Sequence, residues 1–220
     1  MNSFLFHSFR NLAYAEGLER QTEVFEALLK AKKTGEQGVN QLFFCEHQPV
    51  ITLGMHGQVA NLLVPEALLA ARGVAFYRTN RGGDITFHGP GQITGYPIFD
   101  LEGYGLGLKA YIDRLESVII AFLALYGLKG ERLAGATGVW LEASSAQPRK
   151  ICAIGVKASR YVTMHGFALN INTDLTYFSL MNPCGFKDKG VTSLATELGA
   201  PQDYELASAR LLELFKAYFK

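Results

Sequence analysis

Residues 80–97 read Asn80-Arg-Gly-Gly-Asp-Ile-Thr-Phe-His-Gly-Pro-Gly-Gln-Ile-Thr-Gly-Tyr-Pro97. Five glycines and two prolines break up a run of β-forming residues, too many for a plain hairpin. The stretch reads as strand, shaped loop, strand. Upstream, Val74–Thr79 reads as a strand. Val64–Ala71 reads as a short helix opened by Pro65 and stopped by Gly73. Gln41–Glu46 and Val50–Leu53 read as strands parted by the turn signal Gln48-Pro49, and residues 11–33 carry a helical apolar period that ends near Gly35. Downstream, Leu106–Tyr126 reads as a long helix whose second half is apolar nearly all round, which implies deep burial. Thr137–Glu142, Lys150–Lys157 and Val162–Asn170 read as strands, with Ala143–Pro148 as a surface hairpin loop, and Asp203–Tyr218 closes as an amphipathic helix. Strands in runs with helices between them predict an α/β fold of the α+β, mixed-sheet kind.

The chain has 220 residues and no linker rich enough in Pro, Gly or Ser to divide it, so one domain over residues 1–220 is expected. With 49% hydrophobic and 19% charged residues it is too apolar and too weakly charged to stay disordered. A net charge of +1 supplies no global field to hold nucleic acid or an anionic membrane. The longest apolar run, Val118–Leu128, is about half a bilayer span. The opening MNSFLFHSFRNLAYAEGLER has neither a basic n-region nor an h-region, so a cytoplasmic protein is expected. Three cysteines without C-x-x-C spacing suggest no disulfide framework and no metal site.

Chemistry concentrates in two places. Arg81-Gly82-Gly83 lets backbone approach a ligand with no Cβ in the way, although the same glycines would equally serve a bulged hairpin. The spacing matches neither a phosphate loop nor a dinucleotide turn. Cys45 and Cys152 lie in apolar strand runs and read as small hydrophobes. Cys184, in Asn182-Pro183-Cys184-Gly185-Phe186, sits at a turn where a nucleophile is approachable. A free thiol with a pKa of about 8.5 is only slightly ionised at neutral pH, so a partner base or cation is needed. Lys150 and Lys157 share one apolar strand, and the residues alone do not choose between them or exclude that both snorkel to water.

Four blocks in order resemble the lipoyl(octanoyl) transferase family: R-G-G-D-I-T-F-H-G-P-G-Q-I-T-G-Y-P at 81–97, R-K-I-C-A-I-G-V at 149–156, H-G-F-A-L-N-I at 165–171 and N-P-C-G at 182–185. The resemblance implies the mixed α/β catalytic domain shared with biotin and lipoate protein ligases. It implies Cys184 as nucleophile and selects Lys150 over Lys157 as its partner. It further implies substrate binding by Arg81, Gly82, Gly83, Asp84, Ile85, Thr86, Phe87 and His88, by Ala153, Ile154 and Gly155, and by Gly166, Phe167 and Ala168. The implied reaction moves an octanoyl group from octanoyl-acyl-carrier protein to a lysine of lipoyl domains, those of 2-oxoacid dehydrogenase complexes and the glycine cleavage H protein. It proceeds through a thioester on Cys184, without ATP, cofactor or metal, in a monomer that binds neither nucleic acid nor membrane. Arg78, Arg81, Arg149 and Lys187 are candidates to meet the acidic partners, with simple solvation as the alternative for each. The rival expectations are an ATP-dependent ligase on the same scaffold and a non-catalytic acyl-binding module.

Overall fold

The computed structural model describes residues 3–182 and 190–220, so Cys184 and Lys187 lie outside the described residues. Strand β1 (Phe4–Leu12) leads into helix α1 (Tyr14–Thr34), and β2 (Asn40–His47) pairs with β1 in parallel. Next come β3 (Val50–Leu53), α2 (Glu66–Ala71), β4 (Ala75–Arg78) and β5 (Ile85–His88), which build a small sheet in the order β4-β3-β5 around a parallel β3–β4 pair. The remainder is β6 (Gln92–Ile98), α3 (Leu108–Ala124), β7 (Glu131–Leu133), β8 (Ala136–Leu141), β9 (Arg149–Ser159), β10 (Val162–Asn170), β11 (Gly190–Val191), α4 (Leu194–Leu198) and α5 (Tyr204–Tyr218). Together with β1 and β2 its strands form a large sheet in the order β1-β2-β6-β10-β9-β8-β7, with β11 parallel to β9. The fold is mixed α/β, as the strand pattern implies. Among the described residues no helix is long and apolar enough to cross a membrane.

Helix boundaries follow local chemistry. Gly35 ends α1 in the left-handed region (φ 76°), donating its N–H to Ala31 O, and Asp203 caps α5 by accepting from Leu206 N at 3.0 Å. One face of the large sheet packs on α3 and α5, where Val118, Ile119, Phe122 and Leu123 are fully buried with Leu211 and Phe215. On the other face α1 lays Phe25 and Leu28 over Phe43, Tyr96 and Met164. The small sheet keeps its own core around Ile51, Leu69, Ile85 and Phe87.

One reading needs correction. The helical period over residues 11–33 does not start at residue 11: Phe4–Leu12 is a strand, because it finds a parallel partner in β2, which local periodicity does not register. Strand β7 has three residues, too few to show alternation.

The chain passes from the large sheet to the small one at Gln48-Pro49 and returns at Gly89-Pro90-Gly91, so β5 and β6 belong to different sheets. The two passages are tied together. Glu46 Oε1 accepts from Gly91 N at 2.8 Å, and Gly91 O accepts from Ile171 N and Asn172 N. Gly91 has φ 76°, and a Cβ there would meet the Asn172 backbone at 2.6 Å. Gly91→Ala should therefore lower stability by about 1–3 kcal/mol in urea unfolding. An unchanged midpoint would show that the passage tolerates a side chain.

Candidate active site

The glycine-rich loop is docked at both ends. Gly54 N, Met55 N and His56 N donate to Asp84 O, Arg81 O and Gly83 O, and Gly82 N donates to Val156 O on β9 at 2.9 Å. This approach is close enough that a Cβ on Gly155 would meet Gly82 O at 2.6 Å. Arg81 turns inward and is nearly buried. Its Nη2 donates to Thr52 O (2.8 Å) and Thr52 Oγ1 (2.9 Å), and its Nη1 to Gly82 O (3.1 Å). Asp84 Oδ2 accepts from Asn61 Nδ2 at 2.6 Å.

Between this loop and the large sheet lies a cavity of about 390 Å³. Its floor is paved with small residues in cross-strand register, Ala153 opposite Ala168 and Gly155 opposite Gly166. The alternate residues Ile154 and Phe167 also reach the cavity, but the Phe167 ring stacks on Phe215 in the core, with centroids 5.5 Å apart. Arg81, Gly83, Asp84, Ile85, Thr86 and His88 line the opposite side. Gly82 and Phe87, expected to bind substrate, are not among the lining residues. Gly82 is held against β9, and Phe87 stacks on Tyr177 at 4.4 Å in the small sheet's core.

Lys150 reaches the cavity through an irregularity in β9. Val139 faces Cys152 and Trp140 faces Lys150, so Ile151 is an extra residue without a partner on β8. Such a bulge puts two successive side chains on one side. Ile151 and Cys152 accordingly both enter the core, while Lys150 joins Ala153 on the cavity side. In regular alternation Lys150 would share the core face with Cys152. Its Nζ lies 4.6 Å from the Trp140 ring centroid. Lys157 instead places its Nζ 4.9 Å from the Phe25 ring and does not line the cavity. Cys45 and Cys152 are fully buried, and burial pushes the Cys45 thiol up to about 12 and raises that of Cys152 too. Both are enclosed in the core, as their apolar runs imply.

Of the basic candidates to meet acidic partners, Arg81 is buried and Arg149 is held by Glu197 and Glu142, so neither is presented for docking. Arg78 is exposed, and Lys187 lies outside the described residues. Residue-level reading missed Tyr14, Gln92, Thr94, Tyr96, His165 and Asn170, all of which line the cavity. All except Tyr14 fall inside the blocks at 81–97 and 165–171.

Three histidines gather here without charge. Burial lowers His47 to about 4, and burial with nearby positive charge lowers His88 and His165 to about 3. Because folded-state values lie below the ordinary 6.5, the unfolded chain takes up protons that the folded chain refuses. Their contribution to stability is complete above about pH 6.5 and declines as pH falls toward about 4, by up to about 1.4 kcal/mol per pH unit for each ring. Urea unfolding should show a large loss between about pH 7 and about pH 5, and a reduced slope in His47→Gln. A midpoint constant over that range would mean that the rings are open to protonation.

A family model described as the lipoyl protein ligase A/B catalytic domain matches residues 14–216. Over its whole length the chain is 66% identical to a protein named Octanoyltransferase from Parabacteroides distasonis, covering 100% of both. It superposes on a bipartite lipoate protein ligase from Thermoplasma acidophilum with a TM-score of 0.69 at 15% identity, covering 98% of this chain and 84% of that one. For a biotin protein ligase from Aquifex aeolicus the values are 0.51 and 11%, covering 100% and 70%. At these identities the two structures speak for the fold alone.

Proposed function

The chain belongs to the lipoyl protein ligase A/B catalytic domain family, and on that premise we propose that it is an octanoyltransferase acting through Cys184 and Lys150. The observation that carries this reading is the placement of the Lys150 ammonium by the β9 bulge on the wall of a cavity floored with glycine and alanine.

Cys184 thiolate attacks the thioester carbonyl of octanoyl-acyl-carrier protein. The carrier's sulfur leaves and takes up a proton, so an octanoyl thioester remains on Cys184. The ε-amine of a lipoyl-domain lysine then attacks this thioester, the amide forms, and the Cys184 thiol is regenerated. Lys150 as the ammonium favours the thiolate in the first step and gives its proton to the departing carrier sulfur; neutral after that, it takes the proton of the attacking amine in the second. A thioester already carries the driving force for amide formation, so no ATP is consumed. Chain connectivity supports the pairing: Asn182 N donates to Asn61 O, Gly190 pairs with Arg149 beside Lys150, and Cys184 lies between these anchors in sequence.

The octanoyl tail lies on Ala153, Gly155, Gly166 and Ala168, beneath Ile85 and the glycine-rich loop. A cavity of about 390 Å³ falls near the lower end of the ~300–1,000 Å³ usual for small-molecule sites. Burying about six methylenes contributes roughly 5 kcal/mol.

Incubation with octanoyl-carrier protein and a lipoyl domain, without ATP, should transfer octanoate. Intact mass should show an octanoyl adduct on the wild type that Cys184→Ser abolishes, and Lys150→Ala should slow alkylation of Cys184 at neutral pH. Transfer only after ATP is added assigns the chain to the ligases, binding without transfer makes it an acyl-binding module, and an adduct on Cys45 or Cys152 removes Cys184 from the chemistry.

Ala168→Val narrows the floor by two methyl groups. It should shift the preferred donor to shorter acyl chains and slow octanoyl transfer by about 10-fold, the cost of some two unburied methylenes. An unchanged chain-length profile would move the tail elsewhere.

A further inference from the structure

Behind the cavity wall runs a line of buried hydrogen bonds whose directions are all determined. Phe87 O can only accept, so the Gln92 side-chain atom 3.1 Å from it is the amide nitrogen. Thr192 O can only accept, so the Asn170 atom 3.0 Å from it is likewise nitrogen, and Asn170 Oδ1 accepts from Gln92 Nε2 at 2.9 Å. Gln92 Oε1 is therefore the atom 2.8 Å from His88 Nδ1, and that ring nitrogen carries the proton. Nε2 of His88 is left as an acceptor, 3.4 Å from Thr52 Oγ1. Thr52 Oγ1 already accepts from Arg81 Nε and Nη2, so its own proton is available to the ring.

We infer that Gln92 is a positioning residue for the transfer reaction: its amide dictates the His88 tautomer, and through His88 and Thr52 it fixes the Arg81 guanidinium in the cavity wall. The other arm of the same amide reaches Asn170 and, through Thr192, whose N–H donates to Lys150 O at 2.9 Å, the strand that carries Lys150. One side chain thus sets the position of both cations that line the cavity from opposite sheets. The inference rests on the octanoyl-transfer reading for its consequence, while the hydrogen-bond order stands on geometry alone. Burial, the His47 ring from β2 with its centroid 6.1 Å away, Arg81 and His165 favour an uncharged His88 ring, against the Gln92 hydrogen bond, which favours the charged one; Tyr14 from α1 stacks on the ring with centroids 6.2 Å apart.

The test combines nitrogen chemical shifts of isotope-labelled protein with steady-state transfer. In the wild type, His88 should be protonated at Nδ1 and bare at Nε2. Gln92→Leu should scramble the tautomer and lower kcat on the order of 10²-fold, with little change in the KM for octanoyl-carrier protein. Gln92→Glu still accepts from Nδ1 but its carboxylate stabilises the imidazolium. The pH at which transfer fails on the acid side should rise by about one unit or more, a displacement that a merely loosened fold would not produce. A wild-type ring protonated at Nε2, or a Gln92→Leu protein with unaltered tautomer and kcat, overturns the assignment. Because the shifts are read without substrate, a wild type that shows the Nδ1–H tautomer yet moves no octanoate overturns the transfer reading and, with it, the catalytic role of Gln92, leaving the tautomer order intact.

Discussion

The Gln92 side-chain nitrogen donates at once to Phe87 O in the small sheet and to Asn170 Oδ1 in the large one. The rest of the site depends on that double bond of attachment. Two sheets that share few backbone hydrogen bonds would slide on an apolar contact, since hydrophobic burial has no direction of its own. A buried amide with every donor and acceptor engaged does have direction, and leaving one of its partners unpaired costs about 1–3 kcal/mol. The seam is further stitched by Glu46 to Gly91 and by Gly82 to Val156, so the loop, the passage between sheets and β9 hold their positions together.

The cavity exists because packing is withheld there. On the α3 and α5 side of the large sheet the strands contribute Phe44, Phe167, Leu169 and Ile151 to a closed core. On the side of the small sheet the central positions of β9 and β10 are alanine and glycine, and nothing larger fills the gap. Burial disfavours charge on several groups around this space: it lowers the pKa values of His47, His88 and His165 and pushes the Tyr14 phenol up to about 12. Positive charge enters from Arg81, held by Thr52, and from Lys150, close to the Trp140 ring, in a space otherwise suited to an acyl chain.

What a sequence displays locally was legible, and what depends on distant partners was not. Helices α1, α3 and α5 and strands β2, β3, β8, β9 and β10 follow from periodicity and breakers within a few residues of themselves. Strand β1 escaped because its reason is β2, which lies beyond the whole of α1. The glycine-rich stretch was readable as strand, loop, strand, but not as a passage between sheets, since the same glycines serve either. Lys150 could not be separated from Lys157 by alternation, because the choice is made by a bulge that shifts parity by one residue. Phe87 stands inside a binding block yet faces away from the cavity, as the residue between Thr86 and His88 must on a strand. Gln92 and Asn170 lay within the quoted blocks with no sign of their role, which arises only when two carbonyls, Phe87 O and Thr192 O, fix two amides that stand 78 residues apart.

The fold is shared with structures at 11–15% identity, so the scaffold alone does not decide the chemistry, which rests on the site placed on it. A seam between two sheets can hold an apolar tail, present its carbonyl end to a cation and admit a lysine, whatever the activated form of the acyl group. A free acid must first be activated by a nucleotide, whereas a thioester arrives with that energy and asks only for a nucleophile and a proton acceptor. In the acyltransferase reading, the extra chemical demand on this chain is therefore one thiol and one amine. The bulge at Ile151 delivers the amine at no cost to the core, since the two successive side chains it places on one side, Ile151 and Cys152, are both fully buried.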